Sequence, residues 1–191
     1  QPAALLTLLN VDTTLYRGKR VHDDYINAYR FQLLTGLRPG ELLGLRWADI
    51  KGGTVYISRA VNILGEETQG KNQNAIRAFA LSERARVVLD EQREATGAGE
   101  SVFELVSEAY YYKRWQVYCK ANGIPPISVY ELRHSFVSVI KSLPAGEVKG
   151  LVGHSQSMDT FGVYSHALSG DAAATADDVN AAFDRVLGRE I

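Results

Sequence analysis

The side chains best equipped for chemistry lie in four separated stretches of this 191-residue chain. GHSQSMDTFGVYSH, residues 153–166, holds His154 and Tyr164 ten residues apart. SVYELRHSFVSVI, residues 128–140, brings Tyr130, Arg133, His134 and Val137 to one side of a helical pattern. LLTGLRPGELLGLRW, residues 33–47, sets Arg38 three residues before Glu41, and Lys71 stands in the polar run LGEETQGKNQN, residues 64–74. Guanidinium, ammonium, imidazole and phenol groups can all donate hydrogen bonds to an oxyanion, and the last three can also transfer a proton. Each also has an ordinary reading. A histidine after a helix end commonly caps it or is solvated, a helical tyrosine is commonly core with its hydroxyl satisfied, and a lone arginine is commonly a surface ion-pair partner.

The elements that must position these groups follow from local pattern. Gly153, after the apolar Leu151-Val152, reads as a helix terminator because glycine takes positive φ without strain, which leaves His154 on a loop. Ser157 reads as the N-cap of a short helix carrying Tyr164, with Met158, Phe161, Ser165 and Leu168 on one face. Ser128 followed by Glu131 predicts a capping box and a helix from Val129. Its buried stripe is Leu132, Phe136, Val139 and Ile140. Arg133 then sits near the helix end whose unpaired N–H groups favour an anion. A helix over Asp23 to Leu34 ends at Gly36, Pro39 opens the next at its first position, and Glu41 can reach back to hold the Arg38 guanidinium. Between Asp49 and Ala80 the period changes. Gly52-Gly53 makes a turn, Thr54 to Val61 alternates with Val55, Ile57 and Val61 on one face, and Ala75 to Leu81 returns. The expected fold class is α+β, mostly helical with a small three-stranded antiparallel sheet and Lys71 on its last connection.

Together these pieces resemble the catalytic domain of tyrosine recombinases, the phage-integrase family. That family's pattern runs, in chain order, Arg, Lys on a β-hairpin, His-x-x-Arg, His or Trp, and a nucleophilic Tyr. Here it is matched by Arg38 in TGLRPGELLGLRW, Lys71, Arg133 in YELRH, His154 in LVGHS and Tyr164 in VYSH, across residues 25–166. The resemblance implies a site-specific recombinase of mobile elements that cuts and rejoins DNA through a 3′-phosphotyrosine. Arg38 and Arg133 would hold the non-bridging oxygens, His154 would add a hydrogen bond, Lys71 would protonate the leaving 5′-oxygen and Tyr164 would attack. No metal and no cofactor are implied. The first histidine of His-x-x-Arg is replaced by Tyr130, which is expected to be a phosphate or Tyr164 neighbour and not a general base, given a phenol pKa near 10. Glu41 and His134 are expected to support the site. The alternatives are a catalytically silent DNA-binding relative and topoisomerase IB-like strand relaxation.

Composition bounds the rest. Hydrophobic content of 46% and charged content of 23% suit one globular domain. The single Cys119 excludes an intrachain disulfide. No signal sequence appears, and no apolar run approaches the roughly 20 residues that span a bilayer, so a cytoplasmic protein without membrane partners is expected. A net charge of −1 does not by itself point to DNA, although Arg17–Arg20 and Lys113-Arg114 are local basic clusters. Tyr110–Tyr112 beside that second cluster suits either surface packing or a nucleic acid. The division expected is a catalytic domain over 1–169 and a helical tail over 170–191, with the family's N-terminal core-DNA-binding domain absent from this chain. Val179, Ala182, Phe183, Val186 and Leu187 form the tail's apolar stripe, which either docks on a neighbouring protomer or packs on its own domain. The resemblance implies duplex DNA and self-association, as a tetramer on synapsed DNA.

Overall fold

The helix Ile26–Thr35 (α2) has nine of its ten residues buried, so it lacks the polar stripe of a surface helix and forms the axis of the core. The computed structural model describes residues 2–68, 76–97, 99–153 and 170–188. Helix α2 begins three residues later than the pattern predicts. Asp23 turns the chain first, accepting the Tyr25 N–H on its carboxylate at 3.0 Å and the Ile26 N–H on its carbonyl at 3.0 Å. The helix stops at Gly36, whose φ of 64° only glycine adopts readily.

Before it, Pro2–Asn10 (α1) leads into an antiparallel hairpin, Thr13–Tyr16 (β1) with Lys19–His22 (β2). The basic run Arg17–Arg20 therefore forms the hairpin's tip and the start of β2. Arg17 and Gly18 both take positive φ, 49° and 77°, the geometry of a two-residue turn matched to strand twist. After α2 come Pro39–Leu43 (α3) and a single 3₁₀ turn at Trp47–Asp49. The sheet order Ile50–Lys51 (β3), Thr54–Ile57 (β4), Arg77–Ala80 (β7) is antiparallel and three-stranded, as expected. Val61 does not continue the Val55–Ile57 face. Arg59 is drawn into an ion pair with Asp49, and Ala60–Val61 (β5) pairs instead with Glu67–Thr68 (β6) in a separate ladder.

The remaining helices among the described residues are Glu83–Thr96 (α4), Glu108–Ala121 (α5), Tyr130–Ile140 (α6), Ala145–Val152 (α7) and Gly170–Leu187 (α8). Ser82 and Ser107 cap α4 and α5. Helix α6 starts one residue later than predicted and without the capping box, because the Ser128 hydroxyl accepts the Tyr130 N–H at 3.2 Å instead of that of Glu131. Ser101 forms one bridge to Arg46 and no longer strand. Tyr29, Tyr111, Trp115 and Tyr118 pack ring on ring between α2 and α5. Of the tyrosine cluster, Tyr111 is thus core, Tyr110 meets Tyr25 edge-on, and Arg114 lies 3.6 Å from the buried Asp23.

In the single chain the stripe of α8 faces its own domain, against α1, α4, α6 and β7. Val179, Ala182, Phe183 and Leu187 are buried, with Ala176 added, while Val186 remains 37% exposed. Phe183 meets Phe136 of α6, and Asp184 pairs with Arg84 of α4.

Candidate active site

Arg38 sits in the three-residue turn between α2 and α3. That turn lies hard against α6, since a Cβ on Gly36 would come within 2.3 Å of the Phe136 ring. Gln32, buried in α2, braces the turn from beneath. Its amide donates to the Leu37 carbonyl at 3.1 Å and accepts the Tyr111 hydroxyl at 2.8 Å. On the other side α3 approaches β5 so closely that a Cβ on Gly40 would stand 2.5 Å from the Val61 carbonyl. Pro39 opens α3 as expected, and Glu41 reaches back as expected. The Glu41 carboxylate accepts the Arg38 backbone N–H at 2.9 Å and its Nη1 at 2.8 Å.

Arg133 comes from α6 and is 6% exposed. Its Nη1 donates to the Gly36 carbonyl at 2.5 Å and its Nη2 to the Val152 carbonyl at 2.7 Å. One guanidinium thus joins the Arg38 turn to the last residue of α7. Burial first, then the like charges of Arg38 and Arg77, push Arg133 down to about 10, which still leaves it charged at neutral pH. No carboxylate within 4.0 Å pairs with it among the described residues. Glu41 is instead engaged by Arg77, which donates to both carboxylate oxygens at 2.8 Å. Burial alone would push Glu41 up, but the Arg77 hydrogen bonds and charge, with Arg38, outweigh it and hold the carboxyl at about 2. Among the described residues Arg38 and Arg77 share the single Glu41 carboxylate and Arg133 has no carboxylate partner, an excess of positive charge that favours a bound anion.

Tyr130 stands at the first turn of α6, 42% exposed. Its hydroxyl is pushed up by partial burial and by Glu108, against opposing pulls from Arg38 and Arg133. It is therefore a protonated phenol close to both arginines, a donor rather than a base. His134 is exposed, and no hydrogen bond or ion pair to it occurs among the described residues. Lys71, His154 and Tyr164 lie outside the described residues. The α7 end that precedes His154 has the expected form, with Gly153 at φ 69° donating its N–H to the Lys149 carbonyl. Two residues that sequence reasoning missed are Arg77 and Gln32. Each had a signal: an arginine inside the apolar strand AIRAFAL, and an amide inside a helix that is otherwise nearly all core. Buried polar groups of that kind must be paired. Among the described residues no group of three or more His, Cys, Asp or Glu is arranged to hold a metal ion.

The described residues form a mostly helical domain with small antiparallel sheets, in which the Arg133 guanidinium is bonded to the turn that carries Arg38. The chain belongs to the phage integrase family, whose model matches residues 6–170. It is 25% identical over 179 residues to the ICEBs1 integrase of Bacillus subtilis (strain 168), covering 80% of this chain and 47% of that protein. The chain thus spans about half the length of the curated relatives it matches, 47% in each case. Among solved structures it resembles the Tn1549 transposon integrase (residues 82–397, Y379F) in complex with transposon right end DNA. There the TM-score is 0.64 and the identity 18%, over 93% of this chain and 64% of the other. It also resembles the lambda integrase catalytic core, with TM-score 0.58 and identity 19%, over 82% of this chain and 90% of the other. At such identities the structural likeness is one of fold.

Proposed function

We propose that this chain is the catalytic domain of a site-specific DNA recombinase that cuts and rejoins strands through a 3′-phosphotyrosine. The observation that carries the reading is the Arg38–Arg133 pair, fixed by Glu41 and by the Gly36 and Val152 carbonyls, with more guanidinium than carboxylate charge among the described residues. A phosphodiester supplies one negative charge, and its pentavalent transition state adds more on the non-bridging oxygens. Two planar forks match that charge better than two ammonium groups. In the proposed step the Tyr164 oxygen bonds to phosphorus as its proton passes to solvent water, and the bond to the 5′-oxygen breaks. Lys71 delivers a proton to that departing oxygen. His154 and the Tyr130 hydroxyl donate further hydrogen bonds to the phosphate. Reversal by the 5′-hydroxyl of another strand rejoins the DNA, and the covalent link conserves the energy of the broken bond.

Double-stranded DNA is the proposed partner, and the related integrases were solved on transposon-end DNA and, for lambda integrase, as a tetramer bound to a Holliday junction. Self-association on synapsed DNA and a cytoplasmic location are proposed alongside. No described helix is long and apolar enough to cross a membrane. The test is a duplex nicked beside the scissile phosphate, so that the short 5′-hydroxyl product diffuses away. A covalent adduct carrying a 3′-phosphotyrosine is expected. A 5′-linked adduct, or none with any duplex drawn from the chain's own element ends, would overturn the proposal.

A further inference from the structure

We infer that Arg77, which lies outside the recombinase residue pattern, is a positioning residue that locks the Arg38 guanidinium to the strand returning from Lys71 and to the helix end preceding His154. The inference rests on the reading above and assigns a role within the same site. Arg77 opens β7, six residues after Lys71, and its side chain is 4% exposed. It uses both faces of its fork. Nη1 and Nη2 donate to the two Glu41 oxygens at 2.8 Å each, and Nε donates to the Leu151 carbonyl at 3.0 Å. Each Glu41 oxygen therefore accepts one bond from Arg77 and one from Arg38. A carboxylate saturated in this way has one orientation, and the Arg38 fork that hangs from it has one as well. The next carbonyl along α7, that of Val152, is taken by Arg133. The last turn of α7 is thus gripped by two adjacent guanidiniums, at the helix end where carbonyls lack partners and cations are favoured.

The alternative is that Arg77 merely neutralises Glu41 and holds the fold. The two roles separate under Arg77→Lys. The ammonium keeps the charge that Glu41 needs, but one point donor cannot span both carboxylate oxygens and the Leu151 carbonyl. The protein is expected to fold and bind duplex DNA as the wild type does. The single-turnover adduct rate is expected to fall about 10²-fold, the scale of a misplaced catalytic group. The fall should vanish in an Arg38→Ala background, because the guanidinium that Arg77 orients for the reaction is then gone. Equal falls in both backgrounds, or no fall in either, would overturn the inference. The charge-free pair Glu41→Leu with Arg77→Met serves if the lysine variant does not fold, and it should show the same dependence on Arg38. A readout independent of activity is ¹⁵N NMR of arginine-labelled protein. Rotation of the Arg38 guanidinium is expected to be slow in the wild type and fast in Arg77→Lys. Unchanged rotation counts against the role even if no DNA substrate is ever cleaved, while a missing adduct with the NMR difference present counts only against the recombinase reading.

Discussion

Replacing Glu41 with Gln should convert a buried ion pair into a measurable pH effect. The carboxyl lies at about 2 in the folded protein against 4.5 for the free group. A folded value below the unfolded one means that the carboxylate stabilises the fold above the unfolded pKa, and that this stability is lost as pH falls toward the folded pKa. At about 1.4 kcal/mol per pH unit, the gap corresponds to roughly 3 kcal/mol. Removing one partner of a buried pair costs about 3–5 kcal/mol by an independent route, because Arg77 is left charged and uncompensated. Urea unfolding of wild type and Glu41→Gln at steps between pH 7 and pH 2.5 tests this. At pH 7 the variant should be less stable by about 3 kcal/mol. The difference should shrink as pH drops through the window from 4.5 toward 2, since the wild type then loses the same charge. Two stability curves that stay parallel across that window would refute the reasoning.

Arg38→Lys and Arg133→Lys should each lower the single-turnover adduct rate by at least about 10²-fold, the usual cost of one lost oxyanion donor. Rates within a few-fold of wild type would remove that arginine from the site. Lys71→Ala should be rescued by a substrate with a 5′-bridging sulfur, because a thiolate leaves without a proton. Equal defects on oxygen and sulfur substrates would leave Lys71 only a DNA-positioning role. Truncation after Ser169 removes the buried Val179, Phe183 and Leu187, worth about 1.5–3 kcal/mol each, against a total stability of roughly 5–15 kcal/mol. The shortened chain should melt far lower or fail to fold, and one that keeps its melting temperature would return α8 to the role of a docking arm.

What could be read from the sequence was local. The Gly36 stop, Pro39 start and Glu41 reach all lie within six residues of one another, and each follows from turn and cap chemistry alone. The three-stranded sheet was legible from alternation around Gly52-Gly53. Arg133 was legible as a candidate, but its carbonyl partners were not, being 97 and 19 residues away in the chain. Glu41 and Arg77 are likewise 36 residues apart, and no local pattern pairs them. The β1–β2 hairpin escaped because its turn is Arg-Gly, without the Asn or Asp that usually announces positive φ. The capping box at Ser128 failed for a subtler reason. The serine hydroxyl serves the residue two ahead, so the helix starts later while the buried stripe stays where the period puts it.

The most direct test of the account is peptide mapping of the covalent adduct by mass spectrometry, run beside the variants Tyr164→Phe, Tyr110→Phe and Tyr112→Phe. The account predicts a phosphonucleotide on the peptide containing Tyr164, no adduct in Tyr164→Phe with DNA binding retained, and normal adduct in the other two variants. An adduct that persists in Tyr164→Phe, or that maps to Tyr110 or Tyr112, would contradict it.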